Sequence, residues 1–200
     1  RGILIDFEPY TKPYRQFQYS TQAGAAEHTF AEYRNAARKR GRAVMTAIAD
    51  QFPECELITF FLLSYLIEDH HYRGPSPVGR SDAQWCLAGH TYGLLPAFVD
   101  GWMDVVPHGV RIFDGCENAY WFTTREQFGR HAASVRKRGI RLLSRPNRRK
   151  YRRHVKIAMP VFMDAIHSTL GGQYTLEADR TDRLKILRRN LSAAIDASDG

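Results

Sequence analysis

The sequence predicts the α/β class, with strands and helices alternating as parallel β-α units. Two observations predict it. Short apolar runs rich in β-branched residues alternate with longer segments of helical period along all 200 residues. The connections before strands are short ("FPEC", "PHG"), whereas those after strands are long and rich in aromatic, acidic and histidine residues. That asymmetry is what a parallel sheet with a functional C-terminal rim shows.

The first strand is read over residues 2–8, "GILIDFE". Side chains alternate along a strand, so Ile3, Ile5 and Phe7 share one face, and Leu4, Asp6 and Glu8 the other. Pro9 stops the ladder. A helix is expected over 25–51, where Phe30, Tyr33, Ala37, Val44 and Ile48 recur at helical spacing. The second strand, 56–65, is nearly all apolar, as a strand covered on both faces should be. A polar loop over 66–82 leads to a helix over 83–106, which Pro96 should kink or begin. The third strand is read over 110–121. Thr123 and Glu126 form a capping box for a helix reaching 138. A short helix is expected over 147–153 and a fourth strand over 155–166, with Pro160 marking a bulge or an early end. The last helix, capped by Asp179 or Thr181, runs to 197.

Four βα units in 200 residues are half of a (β/α)8 TIM barrel, or a small open sheet. Residues 1–200 are therefore expected to form one partial barrel domain. The chain opens on Arg1 directly before a strand, so a piece of a longer chain is expected and localisation is left unassigned. A hydrophobic fraction of 44% excludes a disordered chain, and no apolar run reaches membrane-spanning length. Three cysteines, Cys55, Cys86 and Cys116, show no paired metal spacing. The net charge of +8 is concentrated in "RNAARKRGR" and "RKRGIRLLSRPNRRKYRR". No nucleic-acid motif accompanies it, so both runs are read as solvated helix faces and no nucleic-acid partner is assigned.

The strand ends carry the candidate chemistry. The first supplies Asp6, Glu8 and Tyr10; the second Tyr65, His70 and His71; the third Asp114, Glu117, Tyr120 and Trp121; the fourth Asp164. Carboxylates among aromatics suit sugar chemistry: one carboxyl protonates a leaving oxygen, another acts as base or nucleophile, and rings stack on pyranose faces. Glu8 is the best general acid, with Asp6 beside it as a like charge. Glu117 is the second catalytic carboxylate. "EDHHY" raises a metal, but adjacent histidines rarely ligate one ion, so no metal or cofactor is assigned.

"GILIDFEPY" resembles the catalytic strand of chitinase-like family 18 glycoside hydrolases, with Gly2, Asp6 and Glu8 matching and Leu4 standing where that pattern has an acid. "IDFEPY", "YGLLPAFVDG" and "DGCENAY" are more closely similar to uncharacterised bacterial proteins regarded as barrel-type glycoside hydrolases. That resemblance covers most of the chain. It implies a (β/α)8 domain and hydrolysis of a glycosidic bond in a carbohydrate substrate. Two alternatives stay open: a catalytically inactive carbohydrate-binding barrel, and a metal-dependent hydrolase using Asp69, His70 and His71.

Overall fold

The computed structural model describes residues 2–10, 15–67, 87–163 and 180–199. Four strands form one parallel sheet: β1 (Gly2–Ile5), β2 (Glu56–Thr59), β3 (Arg111–Asp114) and β4 (Val155–Ile157), adjacent in chain order. The longer helices are α1 (Phe30–Gln51), α2 (Leu95–Val105), α3 (Arg125–Lys137), α4 (Arg148–His154) and α5 (Arg180–Ala197). Pairing is in step across the sheet, with Leu4 opposite Ile58, Ile58 opposite Phe113, and Phe113 opposite Lys156.

Strand order without reversal has a geometric consequence. Right-handed crossovers that always step the same way put every crossover helix on one face of the sheet. The packing agrees. Ile3, Ile5, Leu57, Ile112 and Val155 join Met45 of α1 and Val99 and Trp102 of α2 in the main core. Ile157 joins Phe128 and Val135 of α3 and Ala193 of α5 in a second cluster. The opposite face is open: Leu4 is 59% exposed and Ile58 45%.

Each strand is shorter than the sequence predicts. The N–H groups of Leu62 and Ser64, which a longer β2 would place in the ladder, donate to the Asp114 carboxylate at 2.9 and 3.0 Å. β3 stops at Gly115 and at Cys116, whose φ of 47° is left-handed. β4 stops at Ile157, three residues before Pro160. Helix starts also shift. α1 begins at Phe30, because Thr29 and Glu32 form a reciprocal capping box. α3 is capped by Thr124 with Gln127, one residue beyond the expected pair. α2 begins with Pro96 in its first turn, where a missing N–H costs nothing. Asp179 lies outside the described residues.

Gly41 of α1 and Gly101 of α2 let the two helices touch backbone to backbone. A Cβ at Gly41 would sit 2.0 Å from the Phe98 carbonyl oxygen, and one at Gly101 2.1 Å from that of Arg38. Beside this contact Arg38 binds Asp104 through Nε (2.8 Å) and Nη2 (2.6 Å), and Nη1 reaches Asp100 at 3.3 Å. The guanidinium holds the Asp104 carboxyl below its ordinary range. At least this cation of the first basic run therefore serves the helix interface rather than a solvated face.

The two sheet edges differ. No described residue bonds the outer side of β1 between Gly2 and Ile5. The outer side of β4 does not show the unpaired ladder that half a barrel would leave. The Ile157 N–H donates to Asp199 Oδ2 at 3.0 Å, the Asp199 N–H donates to the Ile157 carbonyl at 2.9 Å, and the Met159 N–H donates to Ser198 Oγ at 2.9 Å.

Candidate active site

Phe7 fixes the end of β1. It is buried among Phe17, Phe98 and Trp102, with ring centroids 5.4, 6.1 and 5.9 Å away. Alternation then turns Asp6 and Glu8 to the open face. The Glu8 N–H donates to Asp6 Oδ1 at 2.8 Å. The Tyr10 hydroxyl donates to Asp6 Oδ2 at 2.7 Å and also contacts Glu8 Oε2. These two acceptors, Glu8 foremost, push the Tyr10 phenol well above its ordinary range.

The end of β3 is built differently. The Gly115 N–H donates to the Thr59 carbonyl at 2.9 Å and the Glu117 N–H to that of Phe60 at 3.1 Å. A Cβ at Gly115 would lie 2.2 Å from the Thr59 oxygen, so only glycine admits this approach. The left-handed Cys116 then turns the chain into a 3-10 turn, Glu117–Trp121. Glu117 is half-buried, and its Oε2 is buried without a hydrogen-bond partner among the described residues. Burial first, then the charges of Glu8 and Asp6, raise its pKa from 4.5 to about 7. The end of β1 and the end of β3 thus act on each other electrostatically across the rim, two strand spacings or about 10 Å apart in the backbone.

Aromatic residues surround the three carboxylates. Tyr65 and Tyr92 pack at 5.1 Å, and both pack on Phe61 at 4.8 Å. Burial raises the Tyr92 phenol far above its usual range, with Tyr65, Glu8, Glu117 and Asp6 adding to the shift. Tyr120 is raised by burial and then by the charges of Glu117, Glu8 and Asp6. Its ring stacks on Phe162 at 5.0 Å, and Trp121, 52% exposed, meets the same ring edge-on at 5.5 Å.

Asp6, Glu8, Tyr10, Glu117, Tyr120 and Trp121 thus gather at the C-terminal rim, with Tyr65 behind them. Asp114 does not present its carboxylate to the rim. It is fully buried, and it accepts from the N–H groups of Leu62, Ser64 and Cys116 and from the Ser64 hydroxyl. Burial pushes its pKa up against the pull of those donors. It shapes the loop that carries Glu117 and offers no free oxygen to a substrate. His70, His71 and Asp164 lie outside the described residues, as do Asp69 and Cys86. Among the described residues no group of three or more histidines, cysteines or acids could hold a metal ion. No described helix is long and apolar enough to cross a membrane.

Tyr92 falls within the helix expected over 83–106. It lies instead in the turn before α2, held by its N–H donating to His90 Nδ1 at 2.9 Å. The signal was Pro96: a proline in the first turn puts the residues four before it in the preceding loop. Comparison with family models, curated proteins and solved structures finds no match.

Proposed function

We propose that this chain carries a glycosidase-type site, hydrolysing an O-glycosyl bond at the C-terminal rim of the sheet, with Glu117 as proton donor and Glu8, backed by Asp6, as the opposing carboxylate. The observation that carries the reading is the pairing of unlike environments. Glu117 is half-buried, with an oxygen that has no hydrogen-bond partner among the described residues and a pKa near 7, while on the same rim Asp6 accepts from the Glu8 N–H and the Tyr10 hydroxyl, and that hydroxyl also contacts Glu8. A carboxyl that keeps its proton near neutral pH can give it to a leaving oxygen, and an opposing carboxylate attacks the anomeric carbon or activates water. The sequence alone favoured Glu8 as donor; the environments favour exchanging the two roles. Tyr65, Tyr120 and Trp121 supply ring faces for a sugar.

The frame of the site is a partial (β/α)8 barrel. Unreversed strand order and the apolar open face at Leu4 and Ile58 support it, because such a face lines the interior of a closed barrel. Closure past β4 requires Ser198 and Asp199 to leave its edge.

Kinetics on aryl glycosides of graded leaving-group ability test the roles. Glu117→Gln is expected to lower turnover of poor leaving groups by about 10²–10⁴-fold and to spare good ones. Glu8→Gln should slow both alike. A Glu117→Gln variant that turns over poor leaving groups at the parent rate would remove Glu117 as donor. Binding of oligosaccharides without turnover of any glycoside would leave only the carbohydrate-binding reading.

A further inference from the structure

A second concave site lies away from the carboxylate rim, beside the outer edge of β4. It is a cavity of about 320 Å³ whose wall includes Ile140, Tyr151, Val155 and Ile157, with Arg152 and Lys156 among its lining residues. We infer that this cavity binds a small amphipathic carboxylate, an apolar body carrying one negative charge.

Three observations carry the inference. The first is size. At about 30 Å³ for each water-sized group, the volume holds on the order of ten non-hydrogen atoms, too few for a helix or a strand and enough for a medium-chain acid. The second is that a strand cannot enter by pairing. The outward N–H groups of β4 are all engaged: Val155 donates to the Tyr151 carbonyl, Ile157 to Asp199 and Met159 to Ser198. A groove beside a sealed edge takes a ligand, not a ladder.

The third is charge. Ile140, Val155 and Ile157 are buried and give an apolar wall. Of the lining cations, Arg136 is held by Asp199 at 2.7 Å, with the Ala197 carbonyl as a further acceptor. Arg152 is exposed and Lys156 half-buried, and neither forms a salt bridge among the described residues. Lys156 also helps hold the Asp199 carboxyl below its ordinary range, alongside the Ile157 N–H and Arg136. Arg136 and Asp199 neutralise each other, so Arg152 and Lys156 leave the lining with an excess of positive charge beside its apolar wall, which favours an anion with an apolar body.

Calorimetric titration of the 200-residue chain with octanoate, 1-octanol and acetate tests the site. Octanoate is expected to bind one to one, at least tenfold more tightly than octanol, and acetate not measurably. Arg152→Glu combined with Lys156→Glu should weaken octanoate at least tenfold and leave octanol unchanged. Both positions are solvent-accessible, so this variant should fold. Ile140→Trp, which fills the cavity, should abolish binding of both. Glu117→Gln should leave octanoate binding as it was. Equal affinity for octanoate and octanol, or octanoate binding unmoved by the double charge reversal, overturns the proposal.

Discussion

The ends of β1 and β3 use carboxylates in opposite ways. At β1 donors are supplied locally: the Glu8 N–H and the Tyr10 hydroxyl donate to Asp6, and the same hydroxyl contacts Glu8. At β3 two acids three residues apart divide the work. Asp114 collects three backbone N–H groups and a hydroxyl, whereas Glu117 keeps one buried oxygen without a partner among the described residues. A buried acid surrounded by donors is scaffold. A partly buried acid left short of them, facing other negative charges, is one that holds its proton. The difference teaches that residue type alone does not assign chemistry; the local supply of N–H groups does.

The comparison can be broken hardest at Asp114. Asp114→Ala leaves three buried N–H groups without their acceptor, and a loss of about 3–5 kcal/mol is expected in urea unfolding. A loss under about 1 kcal/mol would mean that the loop does not depend on this carboxylate. Gly115→Ala comes next. Its Cβ would meet the Thr59 carbonyl oxygen at 2.2 Å, and overpacking against backbone should cost about 1–3 kcal/mol. It should also disturb Glu117 two residues on, so the pH dependence assigned to Glu117 should move with it.

The pH dependence sharpens the contrast further. The folded-state pKa of Glu117, about 7, lies above its ordinary 4.5. The folded chain thus binds this proton more tightly than the unfolded chain. Stability from this group is complete below about pH 4.5 and is lost as pH rises through about 7. Thermal midpoints of the parent chain should therefore fall relative to Glu117→Gln across that window, and parallel curves would contradict the shift. On the proposal that Glu117 is the proton donor, turnover should decline over the same range. Tyr10→Phe is the smallest change. Tyr10 is exposed, so no measurable loss of thermal stability is expected, and turnover should drop by less than about tenfold, the scale of one solvent-screened hydrogen bond.

Periodicity and the asymmetry of the connections predicted the parallel β-α order, and the buried Phe7 between half-buried Asp6 and Glu8 follows the expected alternation. Strand ends were not legible, because they are set by side-chain capture of backbone groups across strands: Asp114 takes N–H groups some fifty residues away in sequence. The same long-range capture hid the scaffold role of Asp114, which sequence reasoning grouped with substrate contacts. Glu117 was visible as a carboxylate after a strand, but its environment was not, since burial depends on how Gly115 and Cys116 fold the loop. Tyr92 was misplaced because an apolar spacing continues through Pro96, although the helix does not.

The sealed edge of β4 also limits how copies of this sheet can join. A flat edge with free N–H and C=O groups is an invitation to intermolecular pairing. Among the described residues, Ser198 and Asp199 occupy the β4 edge, so that edge is not offered to such pairing, whereas no described residue bonds the outer side of β1. Propagation of a fibre needs both edges of every copy, and the occupied β4 edge withholds one of them.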